Sequence, residues 1–361
     1  MYWTAAAALS LLSWLYLLFA RGQFWHIAAI NQTAPSLLKR VVAVVPARNE
    51  ADVIGEAIAS LLPQVPVVLV DDASSDGTAE VARAAAKGRP LTILKGSPLP
   101  AGWTGKLWAL SQGTQEALKQ RPDFLLFSDA DIRHDGESVA ELVARAEVDR
   151  LDLASYMVRL STSNFAEKAL MPAFVYFFLQ LYPPAWTNSA AGGCILIRPA
   201  ALARIGGHAA IRGQVIDDCA LARAVKSSGG KIWMGLTAKT VSIRPYNGFG
   251  EIGRMISRSA FNQLHHSVWL LMGTLLGLAL TYVVPLAALF SGNGPAAVLG
   301  ATAWLLMSIS YAPMIRFYRL PLIWAAALPF IAIFYGGATL HSAVQYWRGK
   351  GGVWKGRIQD V

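Results

Sequence analysis

Hydrophobic positions along the chain follow two different rules. Residues 2–20 form an almost uncharged apolar run long enough to cross a bilayer, with Arg21 directly after it. From residue 41 the pattern changes to short apolar or β-branched runs at 41–45, 67–70, 91–94, 124–127 and 153–158. Amphipathic stretches at 52–62, 76–87, 106–119 and 136–147 separate them. Strand-length runs with helix-length spacers predict an α/β domain built on a mostly parallel, Rossmann-like sheet buried on both faces. The glycine pair at 192–193 leads into a further strand, and 231–234 and 240–243 predict two more. After residue 267 the first rule returns, and 268–290, 295–313 and 321–346 are each long enough to span.

Two segments fit neither rule. Residues 165–186 are rich in aromatics, carry Glu167 and Lys168, and are interrupted by Pro172, Pro183 and Pro184. They predict either an interfacial helix at a bilayer surface or a buried helix of the α/β domain. Residues 249–266 form a basic amphipathic pattern with Arg254 and Arg258 on one helical face, either snorkelling to headgroups or closing over a diphosphate. The expected organisation is a transmembrane anchor at 1–21, the α/β domain at 40–248, an interfacial helix at 249–267, transmembrane segments at 268–346 and a basic tail at 347–361.

Composition agrees with residence in lipid. Among 361 residues 54% are hydrophobic and 12 are Trp, and the mean hydropathy of +0.40 excludes an ordinary soluble enzyme. Cys194 and Cys219 give neither a disulfide framework nor metal-ligand spacing, which fits a reducing compartment. A net charge of +10 fits nucleic acid or an anionic membrane surface, and with spans present the membrane is the simpler partner, with no nucleic acid. No basic segment precedes the first apolar run, so it reads as a retained anchor, not a cleaved signal. Arg21, Lys39 and Arg40 then place the α/β domain on the cytoplasmic side of a bacterial-type inner membrane. Three further crossings would put the tail outside, whereas Arg348, Lys350, Lys355 and Arg357 favour the inside. Arg316 and Arg319 favour an inside loop before the last segment, which makes that segment the doubtful crossing.

Candidate chemistry gathers where sheets of this kind bind ligands, beyond the strand C-termini. Three polar signatures fall there: Pro46-Ala47-Arg48-Asn49-Glu50, Asp71-Asp72-Ala73-Ser74-Ser75-Asp76-Gly77-Thr78, and Ser128-Asp129-Ala130-Asp131. Asp129 and Asp131 suit Mg²⁺ or Mn²⁺, and through it a diphosphate, or they merely cap a turn. With no Gly-x-Gly-x-x-Gly and no Walker loop, a nucleotide would be held by Asp71 or Asp72 accepting from a uracil imide, and by free N–H groups near Ser74. Lys106 in the next helix meets a phosphate or is solvated. Gly192 and Gly193 allow close backbone approach on the acceptor side or form a bulge. Asp217 and Asp218 open a helix, either as caps or with Asp218 as a general base.

Taken in order, Pro-x-x-Asn-Glu, Asp-Asp-x-Ser-x-Asp-Gly-Thr, Asp-x-Asp, Gly-Gly and Asp-Asp-x-x-Leu resemble the family 2 glycosyltransferases of the GT-A fold, over about residues 41–250. Residues 232–237, Arg244-Pro245-Tyr246 and 254–264 are similar to the hopanoid-biosynthesis-associated branch. The resemblance implies a membrane-bound inverting enzyme that moves a sugar from a nucleotide donor to a lipid hydroxyl. It implies Asp71 and Asp72 at the donor nucleotide, Asp129 at ribose and metal, Asp131 at the metal diphosphate, and Asp218 as base. Pro46, Arg48, Asn49, Glu50, Ser74 and Lys106 are the further candidates expected around the donor nucleotide. Many membrane members carry Gln-x-x-Arg-Trp after the base; here none occurs, and Arg254 or Arg258 is left to replace its arginine. The acceptor could equally be a polyprenyl phosphate, a carotenoid or a ceramide-like lipid. A non-catalytic scaffold of the same fold is the rival from another class. A nucleotidyltransferase would need a glycine-rich basic loop that residues 46–50 do not provide.

Overall fold

The computed structural model describes residues 2–27, 39–186 and 189–350, together with the backbone of 353–354 and 357–358. Lys355 of the expected basic tail lies outside the described residues. The chain divides into two units. One is α/β and holds the described residues 39–161 and 189–244; the other gathers the apolar helices, with the described residues of 2–27, 162–186 and 245–358.

The α/β unit is organised by one eight-stranded sheet, comprising β1 Val41–Ala47, β2 Val67–Asp71, β3 Leu91–Lys95, β4 Phe124–Ser128, β5 Ile132–His134, β6 Leu153–Arg159, β7 Cys194–Ile197 and β8 Ile232–Ser242. Their order is β3-β2-β1-β4-β7-β6-β8-β5. β1 to β4 run parallel, β7 is antiparallel to both its neighbours, β6 and β8 are parallel, and β5 closes the edge antiparallel to β8. Continuous apolar runs make sense of this arrangement because both faces are covered. Val41, Ala43 and Val45 of β1 point into a core completed by Ile54, Ile58 and Leu142, while Val42 and Val44 point into one completed by Leu107, Leu110 and Leu221.

Two expectations for this unit are corrected. The runs at 231–234 and 240–243 are one strand, β8, because pairing with β6 carries the chain across the polar interval, with a register shift between Met157 and Arg159. The three-residue strand β5 was not expected; its residues follow the Asp-x-Asp turn too closely to show a pattern of their own.

In the apolar unit, residues 165–186 fold as a continuous helix Phe165–Leu181 with Pro172 inside it, then a short turn Pro184–Trp186. The segment therefore groups with the apolar helices and is not a core helix of the α/β unit. Its acid is used locally: Glu167 is fully buried, accepts from the backbone N–H groups of Ser163 at 2.6 Å and Tyr246 at 2.7 Å, and completes a capping box with Asn164. The basic stretch 249–266 is two helices, Phe249–Ser257 and Ala260–Gln263, ended by His265 and His266 at φ 50° and 55°.

Among the described residues three helices are long and apolar enough to cross a membrane: Tyr2–Phe19, Val268–Leu289 and Gly294–Phe317. The last apolar segment breaks into Ile323–Ala326 and Leu328–Trp347 and is not one of them. Within Val268–Leu289 the turn Ala279–Val283 widens to a π-helix just before Pro285. Proline has no N–H to offer the carbonyl four residues earlier, and Trp14 Nε1 donates to that carbonyl, Thr281 O, at 2.8 Å.

Helix Gly105–Leu118 lies so close to the sheet that a Cβ on Gly113 would fall 2.5 Å from Val44 Cγ1 and 2.8 Å from Val70 Cγ2. The substitution Gly113→Ala is expected to destabilise the α/β unit by about 1–3 kcal/mol despite the better helix propensity of alanine. Denaturant unfolding of the full chain in detergent checks this; an unchanged midpoint would contradict the close approach.

Candidate active site

The site is built from turns that follow β1, β2 and β4 and from the start of helix Asp217–Ser227. In register, Ala47 of β1 stands beside Asp71 of β2, so the first two polar signatures leave the sheet together. Their side chains then stitch one turn to the other. Asn49 Oδ1 accepts from Ser75 N at 2.9 Å, and Ser74 Oγ accepts from Asn49 N at 2.9 Å. Thr78 Oγ1 accepts from Glu50 N at 2.9 Å, and Asp76 Oδ2 accepts from Ala51 N at 3.0 Å. Asn49 and Ala73 hold φ values of 52° and 54°, uncommon for residues other than glycine. Arg48 Nη1 donates to Asp72 O at 2.6 Å and lies 3.7 Å from its carboxylate. Asp72 is buried, whereas Asp71 keeps partial exposure and accepts from Ser74 N at 3.2 Å.

The second group lines a cleft that is partly open to solvent, with Lys106, Asp129, Asp217 and Asp218 as its polar lining and Leu107, Phe127 and Ile211 among its apolar lining. Thr104 caps helix Gly105–Leu118 and sets Lys106 in its first turn. A cation there opposes the helix dipole, so its reason is the acids. Lys106 Nζ lies 2.9 Å from Asp129 Oδ1 and 3.2 Å from Asp217 Oδ2. Burial alone would lower its pKa, but Asp129 and Asp217 raise it above the ordinary lysine range. The side chains of Lys106 and Asp129 keep 22% and 34% of their accessibility, and both line the cleft. For Asp129, burial raises the pKa, Lys106 pulls it down and Asp131 pushes it up again, for a net rise.

Asp218 is differently placed. Its Oδ1 accepts from Cys219 N at 2.7 Å, and a Cβ on Gly192 would come within 3.1 Å of its Oδ2. A side chain at Gly192 would press on the carboxylate, which would have to give by a few tenths of an ångström. Burial first, then Asp217, raise the Asp218 pKa to about 6 against the pull of Lys106. The next residue, Gly193, meets the turn after β4, its carbonyl accepting from Asp129 N at 3.3 Å.

The third group lies around Asp131. Ser242 Oγ donates to Asp131 Oδ2 at 3.0 Å, Arg244 Nε reaches the same oxygen at 3.3 Å, and Arg244 Nη2 forms a close ion pair with Glu50. Arg254 and Arg258 belong to the apolar unit, on the helix Phe249–Ser257 and its C-cap.

Of the residues expected from sequence, Pro46, Lys106, Asp129, Gly192, Asp217 and Asp218 line one cleft, and Gly193 joins them through its contact with Asp129 N. Asn49 and Ser74 hold turns together, and Glu50 pairs with Arg244. Ser242, Arg244 and His208 were missed. The first two sit at the end of a strand whose course was misread. His208 lines the pocket and meets Thr114 through Nε2 at 3.1 Å; burial lowers its pKa to about 4, so it is neutral at physiological pH. His134 contacts Ser128 Oγ at 2.8 Å and is likewise neutral, lowered to about 3 by burial.

Among the described residues no group of three His, Cys, Asp or Glu side chains forms an all-protein metal site. Mg²⁺ and similar ions need only one or two carboxylates beside phosphate oxygens and water. Asp129 and Asp131 supply those hard oxygens, and the cations of Lys106 and Arg244 already stand on them in the metal's stead. The donor set therefore fits a divalent ion that arrives with a diphosphate.

No curated protein matches this sequence. Similar solved structures include TarS 1–349 of S. aureus with UDP-GlcNAc, at 14% identity over 88% of this chain and 95% of that one, TM-score 0.42. Another is glucosyl-3-phosphoglycerate synthase of Mycobacterium tuberculosis with Mn²⁺, UDP-glucose and phosphoglyceric acid, at 17% identity over 64% and 86%, TM-score 0.42. A mycobacterial protein shares 20% identity over 61% and 72%, also at 0.42. The model of the family described as glycosyl transferase family 2 matches residues 42–206, from β1 through β7 and short of Asp218 and β8. Residues 42–206, most of the α/β unit, thus match a family 2 glycosyltransferase domain, and the mixed, mostly parallel sheet is that of the GT-A fold.

Proposed function

We propose that this glycosyltransferase moves a sugar from a UDP-sugar to the hydroxyl of a membrane lipid, with inversion. The observation that carries the reading is the pocket in which one wall, Asp129 with Lys106, is suited to a diphosphate and the facing wall holds Asp218, whose raised pKa suits a base. The acceptor hydroxyl gives its proton to the Asp218 carboxylate as its oxygen bonds to the sugar's anomeric carbon. The bond from that carbon to the diphosphate oxygen breaks, and the electron pair leaves with UDP. When bound at Asp129 and Asp131, Mg²⁺ or Mn²⁺ supplies positive charge to the departing diphosphate. Asp71 is the acid assigned to the uracil imide, since Asp72 is engaged by Arg48. Gly192 and Gly193 leave the acceptor room beside Asp218, and Arg254 and Arg258 are further candidates for the diphosphate.

Support for a lipid acceptor comes from the apolar helices joined to this domain. The sequence resemblance favours a hopanoid-related lipid over polyprenyl phosphate, carotenoid or ceramide-like acceptors. With three spans the positive-inside rule is satisfied throughout: residues 21–267 and 318–350 fall on one side, cytoplasmic, and the uncharged loop around Ser291 on the other. This is the sidedness proposed for a bacterial-type inner membrane.

Four outcomes are expected. Asp218→Asn should cut transfer to lipid extract at least about 100-fold while leaving UDP binding unchanged; near-normal transfer would place the base elsewhere, and UDP-sugar binding without turnover across lipids would favour a scaffold. Because the base must be ionised, transfer should fall as pH drops through about 6. The same raised carboxylate favours folding below its unfolded value of 3.8, and that contribution is lost as pH rises through about 6. Asp218→Asn should therefore flatten the stability profile across this window, measured by thermal unfolding. Finally, a cysteine introduced at Ser291 should react with a membrane-impermeant thiol reagent from the side opposite to cysteines at Arg319 and Lys350; labelling of all three from one side would reject the three-span arrangement.

A further inference from the structure

Arg244 is a charged residue at the site for which the transfer chemistry has no use, and the backbone shows that its position is built. Antiparallel pairing sets Ile132 beside Ser242, and Ile243 N donates to Asp131 O at 2.9 Å. Successive side chains in an extended chain alternate, so Ser242 and Arg244 fall on one side of Ile243. Both meet the same oxygen of Asp131. The far end of the guanidinium is held by Glu50, whose side chain is 8% exposed. Two acids thus share one cation, and a fork with two fixed carboxylates has little freedom to turn away.

We propose that Arg244 is a positioning residue that makes divalent-ion binding depend on the nucleotide. Arg244 and Ser242 both hold Asp131 Oδ2, so a free ion that takes this oxygen must displace an internal ion pair and gains only one or two protein ligands in exchange. A metal that comes with the donor brings diphosphate oxygens of its own, and the diphosphate offers the displaced guanidinium a new anionic partner. The exchange then conserves charge pairing: Asp131 passes from Arg244 to the metal, and Arg244 stays on Glu50 or meets phosphate. This rests on the reading of the site as one for a metal-bound sugar nucleotide.

The test uses the full chain in detergent and follows Mn²⁺ binding by electron paramagnetic resonance, with and without UDP. Wild type should bind Mn²⁺ weakly alone and much more tightly with UDP. Arg244→Gln should bind Mn²⁺ alone about tenfold more tightly than wild type, and the gap should close when UDP is added. Arg244→Lys, which keeps the charge, should stay near wild type, and Ser242→Ala, which removes only the neutral donor and leaves the ion pair with Glu50 to hold the fold, should show a smaller gain. Adding Asp131→Asn to Arg244→Gln should abolish the gain. UDP-supported Mn²⁺ binding in wild type, with unchanged or weaker Mn²⁺ affinity in Arg244→Gln and Ser242→Ala, would overturn the role of Arg244 alone. No binding of UDP to any variant, with or without Mn²⁺, would overturn the transfer reading and this inference with it.

Discussion

The ammonium of Lys106 between Asp129 and Asp217 is the contact on which the rest of the site depends. Asp129 belongs to the turn after β4 and Asp217 to the first turn of the helix Asp217–Ser227, elements separated in sequence by β5, β6 and β7. Like charges brought this close in a partly enclosed space repel unless a cation lies between them. Lys106 therefore ties the turn after β4 to the start of the helix that carries Asp218.

The same economy recurs around the pocket. Arg48 serves Asp72, Lys106 serves Asp129 and Asp217, and Arg244 serves Glu50 and Asp131. Asp218 is held by backbone, accepting from Cys219 N, and not by a direct ion pair. That difference distinguishes a carboxylate suited to taking a proton from carboxylates suited to holding cations, because an ion-paired acid resists protonation and a buried, unpaired one does not.

Much of this was legible in the sequence where pattern and spacing carry the signal. Apolar runs marked β1 to β4, β6 and β7 because both faces of the sheet are covered, and the acids at the strand ends marked the site. What escaped was decided by tertiary contact. β8 crosses a polar interval because β6 holds it there, and the end of that strand carries Ser242 and Arg244 to Asp131. Pro172 looked like a break, yet the surrounding helix continues through it. For Asn49 and Ser74 the sequence suggested a place near the donor but not the hydrogen bonds by which they join two turns, because turn chemistry and anion-binding chemistry use the same polar residues.

The stitching of the turns after β1 and β2 has a mechanical meaning. Four cross-links between residues 49–51 and 74–78, with left-handed backbone at Asn49 and Ala73, leave neither turn able to shift by itself. The rim beside Asp71 accordingly behaves as a plate hinged at the ends of two strands and not as two independent lips. Its residues would tolerate substitution only in concert, because loosening one edge frees the other.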